Sequence, residues 1–157
     1  SYIITHDEMD RKIEETLALG GTQILMQGGH HPKLTKQWYL DLLAHIKAKF
    51  PQVNIHGFSP SEFIHFREVF NEPLERIIAD FKAAGGTALE VISGLQVPAT
   101  TRQLAELCQR FDLEASAGSD FHGGPGDSAR LGHTRFLPPD LNPVWRGWLD
   151  PTAAPAS

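Results

Sequence analysis

The sequence predicts an α/β fold in which four parallel strands alternate with helices, curved as a segment of a (βα)-barrel about half a barrel in extent. Three observations predict it. Short apolar runs at 22–27, 53–58, 87–92 and 114–118 are separated by stretches with helical periodicity. Crossovers of about a dozen residues or more force the strands to run parallel with right-handed connections. Each strand also offers one polar-tinged face: Gln23, Leu25 and Gln27; Asn54 and His56; Ala88, Glu90 and Ile92; Ser116, Gly118 and Asp120. A sheet covered by helices on both sides is apolar on both, so a polar lumen behind a helix-packed face favours a barrel wall. The alternative is a flattened, doubly wound parallel sheet.

The elements follow in order. Residues 6–19 carry Met9, Ile13 and Leu17 on one face, with Thr5 as cap, an acidic first turn, and Gly20-Gly21 as the stop. Strand 22–27 leads to a helix near 35–49 with Leu40, Leu43 and Ile46 as its apolar stripe. After strand 53–58, Ser61 offers a cap for a helical stretch over 62–84. Pro73 interrupts that stretch, so a short helix, a corner at Asn71 and a longer helix from 73 are expected. Gly85-Gly86 ends it. Strand 87–92 precedes a helix from Pro98 to about 111, with Leu104, Leu107 and Phe111 inward, and strand 114–118 closes the series. Residues 119–143 are rich in Gly, Pro, Asp and Ser and read as a functional loop and connector. Residues 144–149 read as a short closing turn or helix, and 151–157 as a disordered tail. A single domain over 1–157 is expected.

Composition narrows the function. The chain has 157 residues, 41% hydrophobic and 21% charged, with a formal net charge of −5. That suits one soluble domain. The absence of a basic stripe argues against nucleic acid as a partner, and no apolar run is long enough for a membrane. No signal peptide is evident, so a cytoplasmic location is expected. Cys108 is the one cysteine. It lies on an apolar helical stripe and reads as a buried thiol. One thiolate cannot hold an iron–sulfur cluster or a Cys-ligated zinc ribbon.

In parallel α/β folds the working groups stand at the carboxyl ends of the strands. Those ends carry Gly28-Gly29-His30-His31, His56-Gly57, Ser93-Gly94 and Ser119-Asp120-Phe121-His122. Imidazole and carboxylate suit zinc, manganese or iron. Asp120 and His122 are the leading metal candidates, because D-x-H places both on one side of an extended segment. His30, His31 and His56 are further candidates, set against a loop-lining or hydrogen-bonded role for each. Glu90 reads as a hydrogen-bonded lumen carboxylate before a catalytic one. His6, His45 and His65 fall on helices and read as solvated or packing residues, and His133 lies in the late connector. Trp38, Trp145 and Trp148 read as packing residues. Gly28-Gly29 lets a ligand approach the backbone closely. No G-x-G-x-x-G, Walker loop, G-x-S-x-G or H-E-x-x-H is present.

Two resemblances add to this reading. Residues 2–78, through GGTQILMQGGHHPKL, WYLDLL, FPQVNIHGFSPSEFIHF and PLERII, closely resemble the dehypoxanthine futalosine cyclase family, radical S-adenosylmethionine enzymes of menaquinone biosynthesis. The resemblance implies that Gly28-Gly29 match the glycine motif that holds the amino group of S-adenosylmethionine, with His30, His31 and His56 near the substrate cavity. The family's CxxxCxxC motif has no counterpart here, which removes the cluster that its radical chemistry needs. Residues 77–149, through IADFKAAGGTALEVISG, LAELCQRFDLEASAGSDFHG, LGHTRFLPPDL and PVWRGW, resemble the C-terminal part of PHP-domain phosphoesterases that hydrolyse nucleoside 3′,5′-bisphosphates or trim short RNA. There Asp120 and His122 match the last metal-binding pair, while the other ligands of that family's cluster find no match.

The expectation is therefore a recombined or engineered chimera, with 1–78 from one barrel and 79–150 from another, no catalytic residue set, and no required cofactor. Residual divalent-metal binding or phosphoesterase activity through Asp120 and His122 is one alternative. S-adenosylmethionine or nucleoside binding at Gly28-Gly29 is another. Open sheet edges predict self-association as a homodimer that completes a barrel-like ring, with a monomer flattened toward a doubly wound sheet as the alternative; the segment around Val144-Trp145 and Trp148-Leu149 covering one edge is a further alternative.

Overall fold

The computed structural model describes residues 3–28, 30–123 and 132–146. It divides into two units, residues 1–84 and 85–157; among the described residues the first holds four helices and a two-stranded parallel sheet, the second one helix and another such sheet.

In the first unit, helix α1 (His6–Ala18) starts where the Thr5 hydroxyl accepts the Glu8 amide, as expected. Strand β1 (Gln23–Met26) pairs in parallel with β2 (Asn54–Gly57), with Gln23 opposite Asn54 and Leu25 opposite His56. Those four residues are exposed, while Ile24, Met26 and Ile55 turn inward. The polar-tinged face of this sheet is thus correctly placed. Helix α2 (Lys36–Lys49) is capped by Thr35 and buries Tyr39, Leu42 and Ile46. The expected stripe shifts here. Leu40 and Leu43 are only partly buried, because α2 serves two clusters. Ile13, Leu42, Ile46, Phe50 and Val53 form one, bringing α1 and α2 together. Tyr39, Phe66, Ile77 and Phe81 form the other.

Helix α3 (Pro60–Phe70) is capped by Ser59, not Ser61. Pro60 sits in the first turn, where its missing N–H costs nothing, and Glu62 returns to the Ser59 amide to complete a capping box. The corner at Asn71 has φ 52, and α4 (Leu74–Ala83) follows Pro73, as the proline predicts. Tyr39 lies 4.7 Å from Phe66 and 5.5 Å, edge-on, from Phe58. Such aromatic pairs each contribute roughly 0.5–1.5 kcal/mol beyond their area. Lys36 of α2 reaches Glu72 at 2.5 Å and Asp80 of α4 at 2.6 Å, linking α2 to the α3–α4 corner and to α4.

In the second unit, β3 (Ala88–Ser93) pairs in parallel with β4 (Glu114–Gly118), and α5 (Pro98–Arg110) lies against both. A bulge between Glu90 and Ile92 corrects the strict alternation expected of β3. Val91 and Ile92 are both buried, at 0% and 1% exposed, because the extra residue lets two neighbours face the core. Helix α5 buries Leu104, Leu107 and Cys108, and Phe111 is half-buried. The connector returns along β4: the Ala115 amide donates to the Asn142 carbonyl at 2.7 Å, and Val144 donates back to Ala115 at 3.0 Å. Val144 therefore lies along an edge of β4, the alternative to an edge left open for a second copy; Trp148, Leu149 and the tail lie outside the described residues. The described strands form two sheets of two strands each. No helix among the described residues is long and apolar enough to cross a membrane.

Candidate functional site

Two places carry the chemistry-bearing residues, one in each unit, at the carboxyl ends of the strands. In the first, β1 delivers Gly28 and β2 delivers Phe58, whose φ is 62, an uncommon conformation for a bulky side chain. The turn that follows places Ser59 and Glu62 beside the exit of β1. The Gly28 amide donates to Glu62 Oε1 at 2.7 Å, and the Ser59 amide donates to Glu62 Oε2 at 2.7 Å. Tyr39 lies under the same turn. Its hydroxyl is buried and has no hydrogen-bond partner among the described residues. Burial pushes its pKa up, and the negative charge of Glu62 adds to the rise. Gly29 lies outside the described residues.

The histidines of this end gather unevenly. The rings of His30 and His65 stack 4.8 Å apart, and the His65 Nε2–H donates to the His31 carbonyl at 3.3 Å. His31 Nδ1 accepts the Lys33 amide at 3.2 Å. His56 is exposed on β2, in register with Leu25. His65 is therefore a member of this group, although its place on a helix suggested a solvated or packing role. The available signal was its position early in the helix that follows β2, which keeps it at the strand ends. A groove is lined by residues 32–37, 69, 70 and 72, but Lys36, one of its cations, is already paired with Glu72 and Asp80.

In the second unit, Asp120 follows β4 after Ser119, and its φ of 54 is left-handed, so the extended D-x-H segment expected from the sequence is not formed. Its Cβ stands 3.0 Å from where a Cβ on Gly94 would be, so glycine at 94 makes the room for it. Glu90 Oε1 likewise lies 2.7 Å from the Cβ position of Gly118. The two glycines thus leave the space in which two carboxylates lie across the β3–β4 ends. His122 Nδ1 donates to the Asp120 carbonyl at 2.9 Å, and the two side chains are 3.8 Å apart. A carbonyl can only accept, so in the neutral ring the lone pair sits on Nε2, the tautomer suited to a metal. Both side chains are well exposed. Among the described residues, no group of three or more His, Cys, Asp or Glu side chains is arranged to hold one metal ion. His133 is exposed in the late connector. Cys108, fully buried, donates its S–H to the Leu113 carbonyl, and burial pushes its pKa to about 11.

No family model matches the chain. Known proteins do. It is 42% identical over 84 residues to the cyclic dehypoxanthine futalosine synthase of Halalkalibacterium halodurans, across 54% of this chain and 23% of that protein. The protein of the same name from Streptomyces coelicolor is 42% identical over 145 residues, across 83% of this chain and 36% of its own. The 3′,5′-nucleoside bisphosphate phosphatase of Chromobacterium violaceum is 47% identical over 74 residues, across 46% of this chain and 26% of its own. Relatives of two different names thus match different parts of the chain. The Streptomyces match is long enough to share residues with the phosphatase match. The chain spans between about a quarter and a third of the length of these relatives.

Proposed function

We propose that these 157 residues are a recombined pair of barrel-enzyme fragments, natural or engineered, with no complete reaction centre and no efficient catalysis of their own. One observation carries this reading: relatives of two different names match different parts of the chain, each over a minor share of its own length. Chemistry supports it. A single cysteine cannot supply the three thiolates on which a radical S-adenosylmethionine cluster rests, and a metallophosphoesterase needs a ligand set larger than Asp120 and His122 to activate water. The exposed, polar-tinged face of β1 and β2 supports a barrel-wall origin for the strands, half a barrel in all. Such a segment leaves strand edges that pair with a second copy, so a cytoplasmic homodimer, bound to neither membrane nor nucleic acid, belongs to the same proposal.

Two narrower readings each have one favouring observation. The tautomer of His122 and the exposure of Asp120 favour a weak divalent-metal site with residual phosphoesterase activity on nucleotides. The held backbone at Gly28 favours affinity for S-adenosylmethionine or a nucleoside without radical chemistry.

The test is turnover of a nucleoside 3′,5′-bisphosphate by the full chain with added manganese, zinc or iron, beside an Asp120→Ala/His122→Ala control. The expected result is hydrolysis no faster than the control. An enzyme-like rate that the double substitution abolishes overturns the main reading and installs the phosphoesterase one.

A further inference from the structure

We propose that Glu62 is the positioning residue of the turn after β1. One buried carboxylate ties the main chain leaving β1 to the main chain leaving β2, and so sets the Gly28 backbone. Glu62 is 3% exposed. Its Oε2 accepts the Ser59 amide at 2.7 Å and the Ser59 hydroxyl at 3.0 Å, which is all that a capping box asks of it. The bond from Gly28 to Oε1, also 2.7 Å, is additional and joins residues 34 positions apart. Gly28 is an exposed residue, and this bond holds its amide. An ionised acceptor makes such a bond short and strong.

Tyr39 lies against the same point. Its Cε1 and hydroxyl stand 3.5 Å and 3.8 Å from the Cβ position of Gly28, and the hydroxyl is a buried donor with no partner among the described residues. A buried hydroxyl in this state is the kind of group that an ordered water or a ligand atom satisfies. The clamp stands at the carboxyl ends of β1 and β2, where parallel α/β folds receive ligands. Its consequence for ligands rests on the S-adenosylmethionine or nucleoside reading above. The clamp itself does not.

Amide hydrogen exchange and S-adenosylmethionine titration of the full chain test both levels. Ser59→Ala removes the capping hydroxyl but keeps the bond between Glu62 and Gly28. Glu62→Gln replaces an acceptor serving two amides with a group that is a donor at one end. Gly28 exchange is expected to accelerate about tenfold or more in Glu62→Gln, and to stay within about twofold of the parent in Ser59→Ala. Where Glu62→Gln fails to fold, Glu62→Asp makes the same test, because the shorter side chain cannot span both amides. Equal acceleration in the cap and carboxylate variants, or none in the latter, overturns the clamp and leaves Glu62 a helix cap. If the parent binds S-adenosylmethionine, the carboxylate variant binds about tenfold more weakly, and unchanged affinity overturns the positioning role. A parent that binds none at millimolar concentration overturns the ligand reading alone, since exchange reports the clamp without a ligand.

Discussion

The carboxylate of Asp10 in α1 accepts the imidazole N–H of His45 in α2 at 2.7 Å. Its other oxygen accepts Lys49 at 2.8 Å, and His6 stacks on the His45 ring at 4.2 Å. Asp10 is buried on the face of α1 that also carries Ile13, so the polar contact is part of the joint between the two helices.

Removing that carboxylate should loosen the joint. Asp10→Ala is expected to lower the Tm more than Asp7→Ala or Glu15→Ala, whose carboxylates stand exposed on the same helix. The hydrogen bond from Lys49 is the main cause that holds the Asp10 carboxyl below the ordinary range; partial desolvation opposes it, and His45 adds to the lowering. A depressed folded-state pKa stabilises the fold above the unfolded value of about 3.9, and that contribution disappears as pH falls through the folded value. The difference between parent and Asp10→Ala in urea should therefore be full at neutral pH and shrink in acid below about pH 4. A difference that stays constant through that range contradicts the assignment.

Lys36 gives the alkaline counterpart. Hydrogen bonds first to Asp80 and then to Glu72 raise its pKa, and the same contact holds Asp80 low. A raised folded-state value stabilises below the unfolded value of about 10.4 and is lost as pH rises through the folded one. Lys36→Met is expected to cost about 1 kcal/mol at neutral pH, the upper range for a partly exposed pair with good geometry. A double-mutant cycle with Asp80→Asn should return most of that as coupling. A coupling near zero would mean that Lys36 contributes through the packing of its stem.

Cys108 should behave as a reporter of unfolding. Its thiol is inaccessible, donates to the Leu113 carbonyl, and has its pKa raised to about 11 by burial, so the folded chain carries almost no thiolate at neutral pH. Labelling by a disulfide reagent is expected to be slow in buffer and to become complete across the urea transition of the second unit. Rapid labelling in buffer would mean that α5 opens without global unfolding.

Much of this was legible in the residues. Thr5, Pro73, Asn71 and Pro98 act within a few residues of themselves, so their caps and breaks could be placed before any tertiary contact was known. What escaped depends on counting or on distance. Strict period two hid the bulge that buries both Val91 and Ile92. Ser61 was the nearer serine to the apolar run, but the capping box counts back three residues from Glu62 to Ser59. The α2 stripe shifted to Tyr39 and Leu42 because that helix faces two clusters, which periodicity on one helix does not reveal. At the candidate sites, the strand pattern placed Gly28 and His30 after β1 and Asp120 after β4, and the structure has them there. The bonds joining Gly28 to Glu62 and the contact of His30 with His65 arise from elements more than thirty residues apart, and local pattern carries no trace of them.

The two glycines at the β3–β4 ends separate strain from crowding. At Gly118 an added methyl group meets only the carboxylate tip of Glu90, and φ there is ordinary. That tip is the far end of a flexible side chain and not backbone, so Gly118→Ala is expected to be the milder change. At Gly94 φ is +50, and the methyl group would meet the Cβ of Asp120, fixed close to the backbone, at 3.0 Å. Left-handed strain of about 1–2 kcal/mol then adds to displacement of the residue itself. Gly94→Ala is therefore expected to be the more destabilising of the two in urea, and to shift the Asp120 and His122 resonances while Gly118→Ala leaves them in place. Equal costs, or an Asp120 signal that moves only with Gly118→Ala, would mean that Glu90 rather than Gly94 sets where the Asp120 carboxylate lies.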